Sequence, residues 1–339
     1  MRRGSVGLER LGVIRGPRER TGPFKEWLHL CATGPSGSLL LNLSFERVDG
    51  EIRRRALVIG RDGDASVVRV VQPRAAATSF VPGHAAARVG GCGFAWRGDR
   101  ARVEVDTPDG SVRAQLELRA TATPAWTGSI PMPPGAELFW MVAPRWRVEG
   151  GKLCVNGRRL HLDRWQAYHD HNWGRFRWSD DFAWEWAFGL ADDPAAPGCV
   201  VFGRLTDRAG ARVLSKVLML WWHGRQLRTL RGGDVELELV GTLRREGARP
   251  APGVAGLLLP EQPVDVPRML RVRGRTDHDD LHVELGATCT HRILVPEDGN
   301  PIGYRVLNEG FGDARVEGRV AGHAVGFGGP ASVEVLRHG

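Results

Sequence analysis

The sequence predicts an all-β protein of two tandem antiparallel units, each a sandwich or a barrel. Period-two alternation of apolar and polar residues recurs from end to end, and Gly, Pro, Asp or Asn bounds the alternating runs. Few windows place apolar residues at i, i+3, i+4 and i+7, the helical spacing. The chain has 339 residues, which exceeds the roughly 100 to 200 of a usual single domain. Its 42% hydrophobic content is enough for a substantial core.

In chain order, the head "MRRGSVGLERLGVIRGPRER" has two early arginines but no continuous apolar run. Residues 1–21 therefore read as a frayed, disordered basic tail rather than a signal peptide. The first strand is "FKEWLHL", followed by "LLLNLSFERV". "ARVEVDTPDGSVRAQLELRATA" is two alternating runs about Pro108-Asp109-Gly110, and "KLCVNGRRLHL" repeats that hairpin grammar about Asn156-Gly157. Between them, "MPPGAELFWMVAPRWRVEGG" carries Pro, Gly and a change of pattern, which puts the expected boundary near residues 131–150. The first unit is then 22–150 and the second 151–339. In the second, "VVFGRLTDRAGARVLSKVLML" turns at Ala209-Gly210, and the Pro-rich segment 245–267 reads as a long loop or edge excursion. "ARVEGRVAGHAVGF" supplies closing strands, and no repeat of 20 to 50 residues is visible.

The formal charge of +8 raises the question of nucleic acid. Only Lys25, Lys152 and Lys216 are lysines, so 44 of the 47 basic residues are arginines, a bias that looks like a GC-rich coding preference. They are scattered among carboxylates, without a basic block interleaved with aromatics, so no nucleic-acid partner is expected. Cys31, Cys92, Cys154, Cys199 and Cys289 lie far apart with no CxxC pair, which argues against a zinc ribbon or a disulfide framework and fits a reducing cytoplasm. The apolar run "VLMLWW" at 217–222 is far short of the roughly 20 residues of a spanning helix. Peripheral contact with a membrane stays open, because a lipid-like substrate has to be collected somewhere. No obligate protein partner is inferred.

The stretch "AYHDHNWGRFRWSDDFAWEWAFG", residues 167–189, concentrates the chemistry. As a strand, its first part places Tyr168, Asp170 and Asn172 on one face and His169, His171 and Trp173 on the other. The second part places Phe182, Trp184, Trp186 and Phe188 together, opposite Ala183, Glu185 and Ala187. His-x-His on a strand is a ligand geometry, but the third ligand, whether Glu185, His161 or His291, is not tied to it by sequence, and no metal is expected. An Asp among tryptophans is where a desolvated carboxyl keeps a proton at neutral pH and can donate it. The bland reading is that Asp170 accepts hydrogen bonds from backbone N–H groups or Arg175 at a tight corner. Five of 12 tryptophans (Trp165, Trp173, Trp178, Trp184, Trp186) fall within 22 positions in and just before this stretch, and indole faces stabilise cations and stack on polyenes as well as filling cores. There is no GxSxG or GxxxxGK[ST], and the Gly-rich pieces near 83–93 and 322–329 do not open helices.

At "YHDHNWG", Tyr168 to Gly174, the sequence resembles the carotenoid 1,2-hydratase (hydroxyneurosporene synthase) family. That family lies within the lipocalin-like group that also holds AttH-type proteins, tocopherol cyclases and some pericyclases. "FKEWLHL", "DDFAWEWAFG" and "VEGRVAGHAVGFGGPASVEVL" are similar to that group's opening, aromatic and C-terminal strands. The resemblance implies two successive lipocalin-like β-barrels around a ligand cavity, with cofactor-free chemistry on a hydrophobic small molecule. An acidic residue would protonate a terminal isoprenoid double bond, and water would capture the cation. On this chain it implies Asp170 as proton donor, Tyr168 and Asn172 orienting it, and His169 or His171 positioning water or receiving its proton. Trp173, Trp184 and Trp186 would flank the cation, and Glu185 and Trp27 would complete the substrate-binding set. One departure is Trp27-Leu28-His29, where the group has Trp-Trp-Tyr; another is that Tyr168 and Tyr304 are the sole tyrosines. A pericyclase shaping a polyene in an aromatic pocket and a non-catalytic lipid carrier are the alternatives.

Overall fold

In a computed structural model, residues 23–48, 51–73, 78–80, 85–132, 135–176, 182–193, 197–243, 248–249, 266–296 and 304–338 are described. The expected basic tail, and nearly all of the segment 245–267, lie outside them. The chain forms two compact units, Met1–Arg177 and Trp178–Gly339. The described residues are nearly all β: two curled antiparallel sheets, one a nearly closed barrel and one a half-barrel, as expected of tandem lipocalin-like barrels.

The first unit opens with β1 (Phe24–Gly34), β2 (Gly37–Val48), β3 (Glu51–Asp62), β4 (Ala65–Val71), β5 (Thr78–Phe80) and β6 (Ala86–Val89). It continues with β7 (Cys92–Arg97), β8 (Arg100–Asp106), β9 (Val112–Ala120), β10 (Ala125–Met132) and β11 (Ala136–Val155). It ends with β12 (Arg158–Leu160) and β13 (Gln166–Arg175). The strand order β4-β3-β2-β1-β13-β11-β9-β8-β7-β6-β5 sets the last strand beside the first. Strict alternation makes one side of this sheet apolar: in β9, Val112, Ala114, Leu116 and Leu118 are buried and the residues between them exposed. They join Leu28, Leu30, Leu41, Phe45, Trp146 and Trp173 in one core.

The second unit comprises β14 (Phe182–Leu190), β15 (Gly198–Asp207), β16 (Val213–Trp222), β17 (Arg225–Arg231) and β18 (Val235–Thr242). After β19 (Ala248–Arg249) come β20 (Pro267–Arg275), β21 (Asp280–Gly286), β22 (Cys289–Pro296), β23 (Tyr304–Val320) and β24 (His323–His338). Its order is β17-β16-β15-β14-β24-β23-β21-β20-β18, so here too the first strand lies against the last. The core gathers Ala187, Val200, Phe202, Leu218, Val283, Val333 and Val335.

The turn signals behave as their chemistry requires. Asn156 and Gly157 both have positive φ, 50° and 79°, the mirror-image turn that matches strand twist in a two-residue hairpin. Asp109 accepts from Ser111 N, Ser111 Oγ and Thr107 Oγ1 and closes the β8–β9 turn. The division between units falls at Arg177/Trp178, further along than the expected 150/151. The Pro and Gly signals near 131–150 mark irregularities of β11 instead, which runs for 20 residues with register shifts at Ala143/Trp146 and Val148/Gly150. Bulges of this kind bend a strand without ending it. No helix among the described residues is long and apolar enough to cross a membrane.

Candidate active site

Asp170 is the centre of a buried polar cluster on β13. This strand is buried on both faces from Gln166 to Gly174, so each polar side chain on it needs a partner to offset desolvation. Pairing with β1 decides which face is which. His171 and His169 lie opposite Leu28 and Leu30, two members of the first unit's core. The histidines therefore look into the core, and Tyr168, Asp170 and Asn172 look away from it.

On that second face Tyr168 Oη and Trp140 Nε1 donate to Asp170 Oδ2 at 2.9 and 3.0 Å, and Asn172 Nδ2 donates to Oδ1 at 2.9 Å. Asp170 is 3% exposed. His29 and Val142 lie directly opposite it on β1 and β11, and Trp27 and Trp140 lie opposite Asn172. Trp27 also meets Phe176 edge-on at 5.9 Å. The indole N–H and amide NH₂ can only donate, whereas a phenol both donates and accepts. Of the three donors, Tyr168 alone can take a proton held on Asp170 Oδ2 and pass it on. Three side-chain donors thus hold Asp170 in the middle of a strand.

The histidines of the motif are engaged elsewhere. His169 Nδ1 lies 2.8 Å from the backbone oxygen of His29, and its ring packs on Phe94 and Trp96 at centroid distances of 4.4 and 6.0 Å. Burial lowers its pKa from 6.5 to about 3, so the ring is neutral and the carbonyl fixes its proton on Nδ1. His171 Nε2 is 2.8 Å from Glu26 Oε1, both fully buried, with Trp173 against its ring at 4.6 Å. Trp173 stacks in turn on Phe139 at 5.6 Å. His169, His171 and Trp173 consequently stand on the opposite face of β13 from Asp170, and the structure does not bring them to it. The two ring nitrogens just named are taken, and His161, one suggested third ligand, is exposed.

A titration tests this placement. Folding holds His169 neutral, whereas the unfolded chain takes up a proton below pH 6.5, so its contribution is complete above pH 6.5 and lost as pH falls towards 3. Wild-type stability should therefore fall about 1.4 kcal/mol per pH unit more steeply than that of His169→Gln across this window, read from urea unfolding at each pH. Parallel slopes would mean that the folded protein protonates His169.

The aromatic strand β14 belongs to the second unit. Ala187 lies in that unit's core, so Glu185 on the same face points inward, where Arg204 Nε and Nη2 donate to its two oxygens at 2.6 and 2.7 Å. Glu185 is thus a buried anion paired with a partly exposed arginine. Trp184 and Trp186 turn to the other face, where the register forms a row: Trp186 opposite Glu334, Glu334 opposite Glu309, Glu309 opposite His291. Trp184 Nε1 donates to Glu334 Oε1, and the Glu334 and Glu309 carboxyl oxygens lie within 4.8 Å of each other while burial pushes the Glu334 pKa up.

Four residues were missed by sequence reasoning: Trp140, His29, Glu309 and Glu334. Trp140 sits in the stretch read as a boundary. His29 is the visible departure in the opening strand; burial lowers its pKa to about 3, and its ring centroid lies 6.4 Å from that of Tyr168. Glu334 interrupts "ASVEVL", where the valines on either side belong to the core, and a carboxyl inside such a strand was a signal available to reading.

No protein-family model matches this sequence, and no curated protein matches it. Solved structures do. Kievitone hydratase from Nectria haematococca is similar with a TM-score of 0.59 and 15% identity, over 98% of this chain and 95% of that one. An AttH-like protein of Nitrosomonas europaea gives 0.62 and 14%, over 94% of each chain. CghA gives 0.61 and 14%, over 98% of this chain and 97% of that one. At such identities the likeness shows a shared fold along the whole chain.

Proposed function

We propose that this protein is a cofactor-independent enzyme that protonates a carbon–carbon double bond of an apolar polyene and completes the reaction by hydration or cyclisation. One observation carries the reading: a buried carboxyl, Asp170, is bonded to a phenol that can relay its proton and to the indole N–H of Trp140, with Trp27 on the same sheet face opposite Asn172. In hydration, Asp170 and Tyr168 deliver a proton to one carbon, the other becomes cationic, water adds, and the surplus proton returns to the carboxylate. In cyclisation a second double bond captures the cation before the proton is lost. Because the cation exists only along the reaction, indole faces beside it lower the barrier without merely tightening substrate binding.

The fold shared with kievitone hydratase supports this chemistry, and the "YHDHNWG" resemblance suggests an acyclic isoprenoid, a carotenoid among them, as substrate. The setting that fits is the cytoplasm or a membrane surface, with no nucleic acid, resident metal or obligate protein partner. The test is mass-resolved chromatography of acyclic carotenoids and other terpenoid polyenes incubated with purified protein, without added metal or cofactor. A product one water heavier is the expected result, and an unchanged mass with new retention marks cyclisation. No change across the panel would overturn the reading in favour of a carrier.

A further inference from the structure

Acid-initiated addition needs a group that holds a proton in the resting enzyme. In the Asp170 cluster a single carboxyl lies among three side-chain donors, of which Tyr168 alone can also take its proton. The second unit offers a different arrangement. Glu309 on β23 and Glu334 on β24 are directly opposite each other in an antiparallel pair, fully and almost fully buried, with carboxyl oxygens within 4.8 Å of one another. Two buried carboxyls this close ionise together only at a high electrostatic cost, so the pair favours keeping a proton. The surroundings suit an electron-poor intermediate: Trp186 lies opposite Glu334, and Trp184 donates its indole N–H to it. All of this is on the sheet face turned away from the second unit's core, where a packing role in that core does not account for it.

We infer that the Glu309–Glu334 pair is a further catalytic acid, donating a proton to the olefinic carbon of an apolar substrate held against Trp184 and Trp186. This rests on the proposed function and adds a second proton donor to it. A carboxyl O–H breaks as a C–H bond forms, leaving a carbocation and an ionised pair. Water or a second double bond captures the cation, and the proton then released restores the pair, so no external oxidant, reductant or metal is consumed. Burial pushing Glu334 upward acts in the same direction as the closeness of the two carboxyls. Such an acid works below its apparent pKa, so the rate should fall as pH rises through it.

Glu334→Gln and Glu309→Gln keep the side-chain volume and replace one of two close buried carboxyls with a neutral amide, so both variants should fold. The experiment measures product formation against pH for wild type, each Gln variant and Asp170→Asn, together with the carboxyl infrared band of the folded protein at neutral pH. Each Gln variant should lose more than about 100-fold in kcat, the alkaline limb of the wild-type profile should vanish, and wild type should show a protonated-carboxyl band that Asp170→Asn keeps and Glu334→Gln lacks. Wild-type turnover and an unaltered profile in both Gln variants would overturn the catalytic role and leave the proposed function intact. A missing band in wild type would overturn the stored proton itself. If wild type keeps the band but converts no polyene, the proposed function fails, and the catalytic role with it.

Discussion

Asp170→Asn is expected to lower kcat by more than about 100-fold, since a positioned general acid or base contributes about 10² to 10⁴. The geometry makes this substitution unusually clean. The new amide oxygen can take the place of Oδ2 and still accept from Tyr168 and Trp140. Its NH₂ then faces Asn172, whose own amide can turn to present oxygen where Nδ2 now donates to Oδ1. Charge and exchangeable proton are lost while the hydrogen-bond count is kept, so stability should change by less than about 1 kcal/mol. Turnover and urea unfolding measured on the same preparation separate the effects. Full turnover in Asp170→Asn would remove Asp170 from the chemistry, and lost turnover together with a collapsed transition would make it structural.

The second large effect is expected at Gly174, the last residue of the motif. A Cβ there would sit 1.9 Å from the backbone oxygen of Glu137 and 3.0 Å from Phe176 Cε1. Glu137 lies on β11, paired to the same strand at Gly174↔Leu138, so the obstacle is sheet backbone and not a flexible side-chain end. Overpacking of this kind usually costs about 1–3 kcal/mol and more when backbone must move, so Gly174→Ala should lose about 3 kcal/mol or more. The melting temperature of the affected transition should fall roughly 2–4 °C for each kcal/mol. Gly150→Ala is the control: it lies on the same β11 with no atom within 4 Å of its Cβ position, and its effect should stay within about 0.5 kcal/mol. Equal stabilities for the two variants would refute the steric account of the motif's glycine.

Together these expectations divide "YHDHNWG" into three duties. Tyr168, Asp170 and Asn172 form the polar cluster, His169, His171 and Trp173 complete the first unit's interior, and Gly174 lets β11 pass close by. The heptad resembles a functional signature as a block, but about half of it is architecture.

The sequence by itself determined the all-β class, the hairpin turns at Asn156-Gly157 and Ala209-Gly210, and the sorting of β13 and β14 into faces. These are local properties: a pleated backbone alternates its side chains every residue, and a positive-φ turn needs its own residues alone. It also marked Asp170, Tyr168 and Asn172 as one group, because they are two apart on one strand. Only the tertiary structure decided that β13 and β14, neighbours in "AYHDHNWGRFRWSDDFAWEWAFG", belong to different units, each pairing with a strand far away in the chain. It decided that His169, His171 and Glu185 face the cores, and that Trp140, His29 and the Glu309–Glu334 pair stand beside the residues that reading had chosen. The physical reason is register: which strands lie side by side, and which face closes over the core, depends on the fit of whole sheets across more than a hundred residues, as in His29↔Asp170 and Trp186↔Glu334.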